Sequence, residues 1–235
     1  MSLTLYYHPL SSYCHKALVG LYELGTPFEP RLIDLSQPDD RDALAAVWPL
    51  VKFPVLHDNA RGQNVAEASV ILEYLDLYYP CAEALLPANR ADALAVRLWD
   101  RVVDLHVQTP MQQIVADRLK GQPFVRQGQA QPALQAIERA WGLINGQLQH
   151  GAPWVCGPQF SMADCAAAPA LFFAHTLQPI DERHPLLLAY FDRLMARASV
   201  ERVLREAQPY LQFYPFHELI APRFLDAPPS SPVPL

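Results

Sequence analysis

Residues 3–16 read Leu3-Thr4-Leu5-Tyr6-Tyr7-His8-Pro9-Leu10-Ser11-Ser12-Tyr13-Cys14-His15-Lys16. The first five are aromatic and β-favouring, so a short strand is expected over Leu3–Tyr7. A polar turn follows. A helix is then predicted from Cys14 to Leu24, because Ala17, Leu18, Leu21 and Tyr22 fall at helical spacing, and Gly25 sits where a helix-ending glycine belongs. A disulfide reductase built on such a turn carries cysteines at its first and fourth positions. Here the first is Ser11 and only the fourth, Cys14, is a thiol. A hydroxyl cannot form a mixed disulfide, but it can donate a hydrogen bond to a thiolate carried by a bound molecule.

The same alternation continues outward from this stretch. Phe28–Leu32 reads as a second strand, parallel to the first by the crossover rule, and residues 39–46 as a polar helix. Phe53–His57 reads as a third strand, 58–62 as a turn, and Gln63-Asn64 as the start of a hairpin partner. A helix is expected over Ala68–Tyr79, with Ile71, Leu72 and Leu75 on one face. Beyond Pro80 strand signals cease. One long helical pattern runs to about Lys120, with Val96, Leu98, Trp99, Val102, Val103 and Val107 expected to be buried. Others cover Gln131–Leu148, a stretch opening at Ser161, and roughly 185–207. Pro110 and Pro169 fall inside helical patterns and should kink or break them. The expectation is an α/β domain over 1–80, a linker at 81–87, an all-helical domain over 88–221, and a Pro-rich tail from 222 to 235 forming an extended or mobile arm.

Composition narrows the function. The 235 residues are 51% hydrophobic and 18% charged, a globular balance, with a net charge of −6. Basic runs are lacking, which disfavours nucleic acid and anionic membranes as partners. No signal-peptide pattern or bilayer-spanning apolar run is read. The four cysteines, at 14, 81, 156 and 165, are scattered and lack the paired spacing of a zinc site, so no metal is expected, and a reducing cytoplasmic setting is.

Several motifs carry both a structural and a chemical reading. Phe53-Pro54 opens a strand, where a trans proline is the commoner case; a cis bond would turn the Phe53 backbone outward to pair with an extended peptide. Ser11 and Ser12 suit helix capping, and one of them suits a bound thiolate at a helix N-terminus. Cys14 reads as a packed residue in preference to a redox thiol. Glu67-Ala68-Ser69 reads as a helix start, or as a site in which Glu67 grips an ammonium while a serine and free N–H groups hold a carboxylate. Ser161 and Asp164 form a capping box, with Phe160 and Cys165 as its hydrophobic staple. The role assigned to them is structural.

As an ordered set, Ser11-Ser12-Tyr13-Cys14, Lys52-Phe53-Pro54-Val55-Leu56, Glu67-Ala68-Ser69 and Phe160-Ser161-Met162-Ala163-Asp164 resemble the cytosolic glutathione transferases, over residues 3–80 and 88–208. The resemblance implies a thioredoxin-like N-terminal domain followed by an all-α domain, a homodimer, and conjugation of glutathione to small hydrophobic electrophiles, a detoxification chemistry. Ser11 matches the activating serine of the theta- and zeta-like serine-type classes. Pro54 is implied to be cis. Ser12, Lys52, Phe53, Pro54, Glu67, Ala68 and Ser69 are implied to bind glutathione, and Leu10, Tyr13, Val107 and Met111 to line the electrophile site. Where the family has serine this chain has Ala68, which removes a hydrogen bond to the γ-glutamyl carboxylate unless Ser69 or backbone N–H groups supply one. The motif segments carry no arginine to clamp an anionic second substrate, so an isomerase role on maleylacetoacetate is not implied. Two alternatives stay open, a non-catalytic protein-binding module and a glutathione-dependent oxidoreductase working through Cys14.

Overall fold

The computed structural model describes residues 2–81, 83–124 and 128–225. Its first half interleaves β1 (Leu3–Tyr7), α1 (Ser12–Glu23), β2 (Glu29–Leu32), α2 (Pro38–Val47), β3 (Val55–Asp58), β4 (Gln63–Ala66) and α3 (Ala68–Tyr78). The sheet order is β2-β1-β3-β4, with β2 parallel to β1 and the β1–β3 and β3–β4 pairs antiparallel. α1 ends in a Schellman motif: Thr26 N–H reaches Leu21 O at 3.1 Å, Gly25 N–H reaches Tyr22 O at 3.3 Å, and Gly25 takes φ +59°. α1 and α3 pack closely where Gly20 faces Leu72, since a Cβ on Gly20 would lie 2.1 Å from Leu72 Cδ2.

The second half is helical: α4 (Arg90–Val103), α5 (Thr109–Leu119), α6 (Gln131–Gln147), α7 (Met162–Leu177), α8 (Pro185–Met195) and α9 (Ala198–Leu211). α7 is the hub, buried along nearly its whole length and packed against α1 and α4. Its capping box forms as read. Asp164 Oδ2 accepts from the Ser161 N–H at 2.9 Å, while Oδ1 accepts from Val155 N–H at 3.1 Å and Tyr190 O–H at 2.6 Å. All of its lone pairs face protein donors, so Asp164 holds the fold together. The architecture is the expected thioredoxin-like α/β half followed by an all-helical half.

Four details differ from expectation. α1 begins two residues early, because Ser11 and not a later residue caps it. β3 starts at Val55, after the Phe53–Pro54 turn. The long helix to Lys120 is interrupted by a π turn over Asp104–Gln108, just before Pro110, where Thr109 Oγ1 donates to Asp104 O at 2.9 Å. Leu98 is 57% exposed, since it lies with Leu94 on the outer side of α4. The tail also begins in contact with the body. Phe224 stacks edge-on against Phe172 at 5.1 Å, and Arg223 pairs with Asp192 at 3.0 Å. Residues 226–235 lie outside the described residues.

Candidate functional site

A cleft of about 520 Å³ opens where the two halves meet. Its walls come from Tyr13 of α1, the Lys52-Phe53-Pro54 turn, Glu67-Ala68-Ser69 at the start of α3, and Arg97, Arg101 and Leu105 of α4 and the π turn. Seven residues singled out from sequence therefore share one cavity: Tyr13, Lys52, Phe53, Pro54, Glu67, Ala68 and Ser69. The Phe53–Pro54 bond is cis. Among the described residues neither the N–H nor the C=O of Phe53 makes a hydrogen bond, because the β3 ladder starts beyond it. Glu67 is held at φ +68° at the bend from β4 into α3 and leaves its side chain exposed. The first N–H groups of α3 have no intrahelical partner, and their positive end faces this cleft.

Of the residues at the start of α1, Tyr13 lines this cleft, whereas Ser11, the expected thiolate donor, is not among its lining residues. Ser11 Oγ caps the helix by accepting from Cys14 N–H at 3.3 Å, and its hydroxyl also contacts the Cys14 thiol. The Ser12 and Tyr13 N–H groups, at the first two helical positions, are unspent within the helix. Tyr13 bonds Thr109 across the cleft wall; burial and then the nearby Asp104 carboxylate raise its pKa, so its hydroxyl stays protonated.

Other expected site residues stand elsewhere. Ser12 is 1% exposed, and its hydroxyl accepts from the side-chain amides of Gln108 and, at 2.8 Å, Gln112. Val107 and Met111 are fully buried, because the π turn directs Leu105 and Thr109 to the cleft and rotates those two into the core against α7. Leu10 packs against the edge of the same core. Cys14 is wholly enclosed, and burial pushes its thiol up to about 12, with the Ser11 contact opposing only in part. It is the packed residue that its sequence context favours. Neighbouring His15 is also sealed: burial takes its pKa down to about 4, and the neutral ring's Nε2–H donates to Pro9 O at 2.6 Å.

Beneath the cleft runs a charged cluster that the motifs do not reveal. Lys16 Nζ lies 2.6 Å from Asp100 Oδ1 and 2.8 Å from Asp104 Oδ2, and donates to Ser69 Oγ at 2.8 Å. Ser69 donates its own proton to Asp100 Oδ2 at 2.8 Å. Arg101 closes the cluster, its Nη2 reaching Ser69 Oγ at 2.8 Å, Asp100 Oδ2 at 3.0 Å, and Asp104. The Ser69 hydroxyl is therefore committed and cannot take over a carboxylate from Ala68. Burial raises the Asp104 pKa, Lys16 pulls it back, and Asp100 pushes it up again. The signal in the sequence was Asp100-Arg101 followed by Asp104 on a helix whose apolar residues lie on its other faces. The partner Lys16 sits 84 positions upstream, beyond any local pattern. Among the described residues no group of three or more His, Cys, Asp or Glu side chains is arranged to hold a metal ion, and no helix is long and apolar enough to cross a membrane.

Comparison with known proteins places both halves. Residues 5–83 match the family model described as glutathione S-transferase, N-terminal domain, and residues 113–193 the one described as glutathione S-transferase, C-terminal domain. The chain is 27% identical to the glutathione S-transferase-like protein LUC7 of a Fusarium species, over 76% of this chain and 79% of that protein. Among solved structures it superposes on a glutathione S-transferase from Methylobacillus flagellatus with glutathione bound, at TM-score 0.72 and 27% identity, covering 86% of this chain and 98% of the other. A glutathione S-transferase from Methylobacterium radiotolerans in complex with glutathione sulfonate gives TM-score 0.70 at 27% identity, over 86% and 93%.

Proposed function

The chain belongs to the glutathione S-transferase family, and on that footing we propose that its cleft binds reduced glutathione and presents the thiolate to a small hydrophobic electrophile. The observation that carries this reading is the outward-facing, unpaired backbone of Phe53 at a cis-proline turn, in the same cavity as the open N-terminus of α3. An extended peptide can pair with the first while an anionic group sits at the second. The cysteinyl residue pairs with Phe53. Lys52 faces the glycyl carboxylate, and Glu67 the γ-glutamyl ammonium. The thiol is left near the start of α1.

There the Ser11 O–H and the free helix N–H groups favour the ionised sulfur over the protonated one. Each 1.4 kcal/mol of that preference lowers the thiol pKa by about one unit. The thiolate then forms a bond to the electrophilic carbon, the leaving group departs with its electron pair, and the thiol proton goes to solvent. Tyr13, Leu105 and Thr109 offer the mixed apolar wall for the electrophile, in place of the buried Val107 and Met111. Oxidoreductase chemistry through Cys14 is opposed by its enclosure and its high pKa.

The assembly we propose is a homodimer. Leu94 and Leu98 on α4 stand 68% and 57% exposed, and Val70 and Leu77 of α3 are exposed as well. The Arg97–Glu73 pair at 2.7 Å links those two helices, and their exposed apolar side chains are the surface we assign to the dimer. The setting proposed is the cytoplasm, in keeping with four unpaired thiols. Calorimetric titration of reduced glutathione tests the whole reading: saturable binding at low-millimolar Kd or tighter supports it, and no heat at tens of millimolar overturns it.

A further inference from the structure

We propose that Arg101, on α4, binds the α-carboxylate of the γ-glutamyl group through its free Nη1, and so serves as the side-chain anchor that residue 68 lacks. The inference rests on the glutathione reading above and extends it to one residue. The side-chain donors around the start of α3 narrow to this one. Ala68 has none. The Ser69 proton goes to Asp100, and its oxygen is occupied by Lys16 and Arg101. Lys16 is sealed at 2% exposure. Glu67 and Glu73 repel a carboxylate.

Arg101 differs from all of these. Its side chain is 51% exposed and lines the cleft. Nε and Nη2 are pinned by Asp100, Asp104 and Ser69, while Nη1 makes no hydrogen bond among the described residues. The contact to Ser69 Oγ at 2.8 Å sets the guanidinium against the first turn of α3, where backbone N–H groups face the same anion. A guanidinium already immobilised by buried carboxylates loses little rotamer freedom when a ligand arrives, which suits it to binding. Arg97 also borders the cleft with its Nη1 unengaged, but it is forked onto Glu73 at 2.8 and 2.7 Å, a full turn from Arg101 along α4, and among the described residues it makes no hydrogen bond to Ser69 that would set it against the first turn of α3.

The test compares two ligands on four proteins by calorimetry. The ligands are glutathione and 4-aminobutyryl-cysteinyl-glycine, which is glutathione without the γ-glutamyl α-carboxylate. The proteins are the native chain, Arg101→Gln, Arg97→Gln, and Arg101→Gln combined with Ala68→Ser. The native chain should prefer glutathione by about 10–100-fold, the range for one charge-assisted hydrogen bond. Arg101→Gln should erase most of that preference, Arg97→Gln should keep it, and the added serine hydroxyl should restore part of it. A preference unchanged in Arg101→Gln overturns the proposal while leaving glutathione binding intact. Failure of the native chain to bind glutathione overturns the reading beneath it instead. Partial unfolding of a variant reduces the binding stoichiometry without changing the ratio of the two affinities, and Arg101→Lys, which keeps the charge, gives a second check on that ratio.

Discussion

Replacing Lys16 by methionine should destabilise the protein more than any other single surface-to-cleft change. The side chain of Lys16 is 2% exposed and neutralises two carboxylates, at 2.6 and 2.8 Å, that come from the other half of the molecule. Methionine keeps the apolar stem and removes the charge. Asp100 is itself 2% exposed on its side chain, so it stays buried with only Arg101 and Ser69 as partners. Breaking a buried pair from one side costs about 3–5 kcal/mol. In a chain of this length about 2–4 °C of melting temperature is lost per kcal/mol, so the melting point should fall by roughly 6–20 °C.

The pH dependence follows from Asp104, whose folded pKa is raised by burial. A raised carboxyl pKa means the folded state holds that proton more tightly than the unfolded chain. Its stabilising effect is fully present below the unfolded value and is lost as pH rises through the folded one. Without Lys16 that loss should be larger, so the Lys16→Met deficit should be smaller near pH 4 than at pH 7. Urea denaturation at both pH values, alongside thermal melts, measures this. Adding Asp104→Leu should recover much of the deficit by removing one stranded charge. A Lys16→Met cost below about 1 kcal/mol at pH 7 would refute the reasoning, because it would mean that the carboxylates are solvated or protonated without Lys16.

Ser11→Ala should lower the rate of conjugation with an aryl halide by at least about tenfold, and raise the pH at which the glutathione thiolate forms, as read by its ultraviolet absorbance; Tyr13→Phe should change the rate less, since Tyr13 belongs to the wall. Leu98→Glu should turn the proposed dimer into a monomer in sedimentation, with little loss of helix. Asp58→Asn should destabilise by about 1–3 kcal/mol. Burial alone would raise the Asp58 pKa, but hydrogen bonds from Tyr79 and Tyr74 and from the Arg61 and Ala60 N–H groups outweigh it and hold it below the usual value. The stability Asp58 confers is therefore present above the unfolded carboxyl value and is lost as pH falls through the lowered folded value, and acid titration of the variant should lack that component. In the native protein a thiol reagent should label Cys81 quickly and leave Cys14 and Cys165 untouched until denaturant is added.

Local patterns in the sequence located the elements because each element's boundary is decided by nearby residues: Gly25 at φ +59° closes α1, Asn89 caps α4 through its side chain, and Ser161 with Asp164 opens α7. The same logic placed the Phe53–Pro54 turn and the start of α3 beside one cavity, since β3 and β4 are joined by a short hairpin and α3 follows at once. It failed wherever the deciding partner was distant. Ser12 looked like a site residue until Gln108 and Gln112, 96 and 100 positions away, took its hydroxyl. Ser69 looked free to replace the hydroxyl absent at position 68 until Lys16 and Asp100 claimed both its oxygen and its proton. Val107 and Met111 have the apolar character of a pocket wall, and only the π turn, which shifts the register of one helix by a residue, decides that Leu105 and Thr109 reach the cleft instead. Each of these concerns the direction of a side chain already placed on the correct helix. The charged cluster is a further step removed: none of its members belongs to a recognisable motif except Ser69, and its chemistry exists only when α1, α3 and α4 meet. A site assembled in this way ties substrate binding to the packing of the two halves. Perturbing Lys16 should therefore weaken glutathione binding together with stability, whereas Arg101→Lys should separate the two by leaving the buried carboxylates paired and altering only the donor presented to the ligand.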